Sequence, residues 1–308
     1  MARGPYLSSI LVELWRKGKY LMMSSWYVLS IVALLFMGTQ RFFYKVSAER
    51  DCNTAWTTFS FMATVTLVSS LLFIISGASV SNLGFLLFIS FLNSSAFVIG
   101  TYTHIEALKH IPVSAAYPII RLNAVIVVVF SILFFNDHLS FFQVIGIVMA
   151  MAVIAILTRQ IDIHEPSYKH TRRGLVLVFI SLFCGSIATI SSKFAAMYTN
   201  KIGFMAISYL IGTLLSFGLA KNVTTKDASA NHTQALIIGF IMGLINVIGF
   251  YAFLSALAIG PLSIIVSITG MHFVISILLS ALIYKEKLTT QRVVGITLTI
   301  LAIIFLRL

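Results

Sequence analysis

Charge is scarce in this chain. Of its 308 residues only 10% are Asp, Glu, Lys or Arg, 59% are hydrophobic, and the mean hydropathy is +1.01. A soluble enzyme of this length must clothe its surface with ionised groups, so lipid rather than water is the expected solvent. Acids are the rarer sign, nine against twenty-one bases, and all nine fall in loops, tails or helix ends. That pattern argues against a cationic-drug exporter built on a membrane-embedded carboxylate, and against a central carboxylate proton relay. Cysteine is nearly absent: Cys52 and Cys184 make neither a disulfide framework nor a spaced metal cluster, and no cofactor is expected. The net charge of +12 is spread over loops and termini without a basic soluble face, so nucleic acid is not an expected partner.

What the chain does have is one long apolar run after another. Ten segments approach the ~20 residues that a helix needs to cross a bilayer: 25–43, 55–76, 82–104, 113–135, 141–158, 174–192, 203–220, 234–255, 262–283 and 290–307. The runs are continuous, whereas a membrane β-barrel would alternate in stretches of about ten residues. The expected fold is therefore an all-α integral membrane protein of ten transmembrane helices. Residues 1–24 mix Leu, Ile and Trp with Arg16, Lys17 and Lys19 and read as an interfacial segment or a plain cytosolic tail. No cleavable signal peptide is expected, because the first strongly apolar run is long and lacks a small-residue cleavage site.

The chain also repeats itself. Residues 100–147 laid over 249–296, at a constant offset of 149 and without a gap, give fifteen identities in forty-eight positions. Gly100 meets Gly249, Tyr102 meets Tyr251, Pro112 meets Pro261, Ser114 meets Ser263, Ser131 meets Ser280 and Gly146 meets Gly295, while Asp137 meets Glu286. Hydrophobicity alone does not align glycines, prolines and acids at helix ends. The earlier helices pair once a gap is allowed, Gly38 and Lys45 with Gly185 and Lys193. Two five-helix repeats follow, 25–158 and 174–308, joined by a loop at 159–173. Five is odd, so the second repeat enters the membrane inverted, a construction common in alternating-access carriers whose site lies between the halves.

Polar groups inside these runs are the candidate site. Arg121, in AAYPIIRLNAV, is the sharpest: exposing a guanidinium to lipid costs at least about 2.5 kcal/mol, so it should meet protein, water or solute. Its planar donor fork suits a carboxylate or phosphate, and Tyr117, four residues earlier, shares its face. The alternative is a structural Arg121 that snorkels or pairs with Glu106. Asn123 points about 200° away from Arg121 and aligns with His272. Asn93, Asn246, His272, Tyr102 and Tyr251 are the other expected cavity residues, although a buried amide is as readily interhelical glue. Lys45 and Lys193 recur at matching helix ends as possible anion-attracting gates or snorkelling cations, and His104 with Glu106 offers a possible coupling pair. Asp137 and Glu286 read as helix-end stabilisers. His164, Glu165 and His170 share a loop without an established metal spacing, and no reactive cluster of an enzyme is evident.

The motifs GTQRFFYK (38–45) and GSIATISSK (185–193), with ALKHIPVSAAYP (107–118) leading to NDHLSFFQVIG (136–146) and ALAIGPLSIIVS (256–267) leading to KEKLTTQRVVG (285–295), resemble the drug/metabolite transporter superfamily, specifically its ten-helix EamA-like carriers. The resemblance covers nearly the whole chain after residue 24. It implies a transporter; taken with Arg121 and the other polar residues, the expectation is an alternating-access carrier of a small polar organic solute, an amino acid or another metabolite with an anionic group, working as a monomer or homodimer in an inner or plasma membrane, with a proton or counter-solute as coupling partner. A channel or facilitative pore and a cationic-drug exporter are the alternatives. The resemblance also implies cytoplasmic termini. The basic residues lean the other way: that orientation places seven inside and thirteen outside, against the positive-inside rule.

Overall fold

A computed structural model describes the backbone of residues 5–50, 52–80, 82–107, 110, 119–120, 122–158, 171–223, 232–285 and 289–308, with side chains from Ser25 onward for most of these. Among the described residues the regular structure is helical: α1 Pro5–Glu49, α2 Thr54–Ile75, α3 Leu83–Ala107, α4 Asn123–Phe135, α5 Phe141–Thr158, α6 Thr171–Tyr198, α7 Lys201–Val223, α8 His232–Ile259, α9 Leu262–Gly270, α10 His272–Ile283 and α11 Thr290–Arg307. Eight segments are long and apolar enough to cross a membrane, with α9 and α10 together making one of them; the shorter apolar helices α4 and α5 complete ten. Helix α1 runs unbroken from the amino-terminal segment into the first crossing, with Pro5 at a first-turn position that lacks a hydrogen-bonded N–H in any case.

The fourth crossing of the second repeat departs from the single helix expected over 262–283. It is interrupted at Met271 (φ −83°, ψ 8°), between α9 and α10. The first repeat turns at the matching residue, Leu122: Leu122 N–H donates to Ile119 O and Val125 N–H to Leu122 O, while Met271 N–H donates to Ile268 O and Val274 N–H to Met271 O, all at 3.0–3.1 Å. At 13 residues, α4 is roughly 20 Å long, short of the ~30 Å hydrocarbon core. Discontinuous helices of this kind sit where a membrane protein builds a polar interior.

The two halves are interlocked. Lipid tails are as apolar as leucine, so helices in a membrane are held by close packing and interhelical hydrogen bonds. The glycines show where the backbones approach. A Cβ on Gly38 would lie 2.6 Å from His272 O, and one on Gly185 would lie 2.9 Å from the Asn123 side-chain nitrogen. The first helix of each half therefore meets the fourth of the other, at the two residues that align in the repeat. Gly249 of α8 abuts Phe36 and Met37 of α1, and its counterpart Gly100 of α3 abuts Ser181, Cys184 and Gly185 of α6. Gly239 and Gly243 of α8 lie against Thr57, Ser60 and Thr64 of α2, with the Ser60 hydroxyl donating to Leu236 O at 2.7 Å. Helices α2 and α7 are counterparts that pair with each other: Thr66 Oγ1 and Thr213 Oγ1 are 3.3 Å apart, and Gly212 faces Met62. The two backbone positions held at positive φ, Asn136 (51°) and Lys285 (53°), also align in the repeat.

Candidate functional site

Ten crossings that alternate in direction place residues 25, 137, 193, 260 and 308 at one end of the bundle, called here the terminal end, and 45, 284 and 292 at the far end. The terminal end is a closed corner. Between α8 and α9 the chain turns at Gly260–Pro261, leaving α8 with orphan carbonyls and α9 with orphan N–H groups. Lys193, only 6% exposed, satisfies the first set: its Nζ donates to Leu257 O at 2.6 Å and Gly260 O at 2.9 Å. Pro261 has no side-chain cap to offer α9, and Asp137 of the other half supplies one. Asp137 Oδ2 accepts from Ser263 N at 3.1 Å, from Ser263 Oγ at 2.8 Å, and from Ser131 Oγ. Cation at a helix carboxyl end and anion at a helix amino end is the arrangement the two macrodipoles favour. Lys193 Nζ also lies 5.5 Å from the Phe135 ring centre. Trp26 closes over the turn so tightly that a Cβ on Gly260 would fall 2.6 Å from its ring.

At the far end the described residues leave a cleft of about 210 Å³, lined by Lys45, Ser276, Ile277, Ser280 and Arg292. Ser276 and Ser280 are one turn apart on α10 and so share a face. Lys45 Nζ is 5.2 Å from the Tyr284 ring, and Arg41, one turn before Lys45, is exposed with its guanidinium 5.5 Å from the Tyr44 ring. Two of the lining residues, Lys45 and Ser280, are the repeat counterparts of Lys193 and Ser131 in the closed corner.

Between the ends lies a buried polar chain that crosses three helices. Tyr209 Oη donates to Asn246 Oδ1 at 2.7 Å, and Asn246 Nδ2 donates to Gln40 Oε1 at 3.1 Å. The Tyr209 ring is held edge-on by Phe61 and Phe250. Asn93 is tied differently: its Nδ2 is within 2.6 Å of Ala188 O and 2.9–3.0 Å of the Ser191 and Ser192 hydroxyls, which themselves donate to Ala188 O. Asn93 thus fastens α3 to α6. His272 Nδ1 lies 2.7 Å from Thr269 O; a carbonyl only accepts, so Nδ1 carries the hydrogen and the ring staples the break at Met271.

The expected site residues do not gather in one place. Asn246 is in the central chain, Lys45 is at the cleft, Lys193 is in the closed corner, and Asn93 and His272 bridge backbone segments. Tyr102 is 55% exposed and Tyr251 42% exposed on helix surfaces, with Lys201 Nζ 6.0 Å from the Tyr251 ring. His104 is partly buried near the end of α3. Arg121, Tyr117 and the Glu106 side chain lie outside the described residues. Gln40 and Tyr209 were not expected. Gln40 sits in GTQRFFYK, where a buried amide in an apolar helix is a legible signal; Tyr209 looked like one aromatic among many.

The family model for the EamA-like transporter family matches residues 24–159 and again 172–308. Two proteins of Archaeoglobus fulgidus, each named an uncharacterized transporter, are similar. One is 24% identical over 211 residues, covering 68% of this chain and 72% of that protein. The other is 22% identical over 196 residues, covering 63% and 67%. A protein of known crystal structure aligns with a TM-score of 0.72 over 92% of this chain and 96% of that one, at 16% identity, which is a likeness of fold.

Proposed function

Since the chain belongs to the EamA-like transporter family, with a small-molecule substrate and a lipid surround, we propose that it works by alternating access on a small polar organic solute bearing an anionic group. The observation that carries this reading is the crossed contact of two like halves. The first helix of each half packs on the fourth of the other, Gly38 against His272 and Gly185 against Asn123, and the buried Tyr209–Asn246–Gln40 chain runs between the halves. Inverted repeats that meet along a polar seam are a common construction for carriers that expose a site first to one side and then to the other.

The anionic character rests on the cleft. Lys45 and Arg292 line it beside two hydroxyls, and Arg41 stands one turn from Lys45. Cations grouped at a low-dielectric mouth draw anions toward it. Arg121, next in sequence to the turn at Leu122, is the proposed partner of the anion, with Tyr117 four residues before it. Asn246 and its partners Gln40 and Tyr209 form the polar wall, while an amino acid is one solute with the right groups. With cytoplasmic termini the cleft faces outward, in an inner or plasma membrane. A channel would leave both ends open at once.

Purified protein in liposomes, offered amino acids, other organic anions, nucleotides and organic cations, should show saturable counterflow of an anionic solute. Arg121→Ala should weaken binding of that solute about tenfold or more while the protein stays folded, the loss of a bidentate charge-assisted pair. Unsaturable conduction would replace the carrier with a pore, and unchanged affinity in R121A would remove Arg121 from the site.

A further inference from the structure

Resting on the reading of an anionic solute, we propose that residues 40–44 of α1, with Tyr209 and Asn246 across from them, form an oxyanion subsite that takes a carboxylate or phosphoryl group of the solute on Arg41, Gln40 and Tyr44. Arg41 lies inside the apolar span Ser25–Ser47, roughly 9 Å from its end at 1.5 Å per residue. A guanidinium at that depth needs a partner. Among the described residues it makes no ion pair and no hydrogen bond; its neighbour is the Tyr44 ring, whose centre is 5.5 Å away. The side chain is exposed all the same, so its five N–H donors face open space.

The side chains around Arg41 are short of acceptors in the same way. Gln40 is 5% exposed and uses its Oε1 to accept from Asn246, while its Nε2, with two N–H groups, has no acceptor among the described residues. The Tyr44 hydroxyl has no hydrogen-bond partner among them either. Tyr44 follows Gln40 by four residues and Arg41 by three, so all three meet on one turn of helix. The Arg41 charge acts on the Tyr209 hydroxyl as well as on that of Tyr44, which turns it toward α7 and the buried polar chain. That chain runs from Tyr209 through Asn246 to Gln40, and the unused donors collect at its α1 end. Buried donors left unmatched are costly. A carboxylate or phosphoryl oxygen only accepts, and it satisfies this group where a cation or an ammonium does not.

The second repeat has no such turn. GSIATISSK, the match of GTQRFFYK, carries no charge between Gly185 and Lys193, and the Asn93 amide that meets this stretch already has Ala188 O and the Ser191 and Ser192 hydroxyls around its Nδ2. The subsite is therefore one-sided and orients the solute. Its charged end lies on α1, where the planar fork of Arg41 grips two oxygens in parallel, and its remainder lies toward Tyr209 and Asn246.

The test is made on purified protein in a neutral detergent without added lipid. Inorganic phosphate and succinate are titrated against sodium chloride of equal ionic strength, and melting is followed by differential scanning fluorimetry. One or both oxyanions should raise the melting temperature saturably. Arg41→Gln should weaken the half-saturation about tenfold or more. R41K, which keeps the charge and loses the fork, should fall between R41Q and the parent. Q40E still accepts from Asn246 but places a carboxylate beside Arg41, and it should abolish the response; Y44F, which loses one hydroxyl, should weaken it by a smaller factor. These last two decide the matter if R41Q folds poorly. The proposal is overturned if neither oxyanion stabilises the parent beyond chloride, or if R41Q or Q40E responds as the parent does. It is also overturned if R41Q loses stabilisation by phosphatidylglycerol micelles and keeps that by the soluble oxyanions, since Arg41 is then an anchor for lipid headgroups. Counterflow in liposomes separates the subsite from the reading beneath it. Exchange of an anionic solute with equal half-saturation in the parent and R41Q removes the subsite alone. Arg41-dependent oxyanion binding without any counterflow removes the carrier and leaves the subsite.

Discussion

Lys45 and Lys193 are the same residue of the same repeat in different surroundings, and that makes them each other's control. Lys193→Met removes an ammonium that donates to Leu257 O and Gly260 O at 2.6 and 2.9 Å while keeping the apolar stem. Hydrogen bonds to a charged group contribute about 1.5–3 kcal/mol each, and the carbonyls left behind at the α8 end are enclosed. Against this stands the desolvation of the ammonium, which the methionine relieves by several kcal/mol. The balance is a net loss of about 2–4 kcal/mol, the lower part of the range for breaking a buried ionic contact. At roughly 2 °C per kcal/mol for a chain of this size, K193M should melt about 4–8 °C lower in detergent by differential scanning fluorimetry. Lys45→Met acts on a partly exposed cation at the cleft and should cost no more than about 1 kcal/mol. The reasoning is refuted if the two variants lose equal stability, because the enclosure of Lys193 would then count for nothing, or if K193M melts with the parent.

Two further substitutions probe the packing and the central chain. Gly243→Ala places a methyl 2.5 Å from Thr64 Cβ between α8 and α2 and should destabilise by about 1–3 kcal/mol, while Gly218→Ala, where nothing stands within 4 Å, should be neutral in the same melt. A double-mutant cycle of Asn246→Ala and Tyr209→Phe should return a coupling of about 0.6–1.7 kcal/mol, the span found for hydrogen bonds between membrane helices; a coupling of zero would mean that the 2.7 Å contact contributes nothing.

Much of this architecture is legible in the sequence because a bilayer is a demanding solvent. A helix must be about 20 apolar residues long to cross it, so ten runs announce ten crossings, and Gly100 with Gly249 or Pro112 with Pro261 announces the duplication. The EamA resemblance read from GTQRFFYK and NDHLSFFQVIG agrees with the family match. The break at Met271 is not legible in this way: α9 and α10 are equally apolar, and Gly270 beside it is a residue that helices tolerate. Polar residues are half legible. The sequence says that Asn93 and Asn246 need partners without saying which, and three of the five partners, the Ala188 carbonyl and the Ser191 and Ser192 hydroxyls, are groups that no pattern marks. Nor does the sequence say that Lys193 is enclosed while Lys45 lines a cleft, since each is a lone lysine at the end of an apolar run.

The contact between Thr66 and Thr213 joins the second helix of one half to the second helix of the other. If the two related halves trade arrangements, cross-half distances take their counterparts' values, but the α2–α7 seam maps onto itself. The Thr66–Thr213 separation is then a near-stationary ruler built into the molecule. A pair of spectroscopic labels there supplies the invariant against which labels at either mouth can be calibrated, and a small molecule wedged at that seam would slow the exchange without occupying the path of the solute.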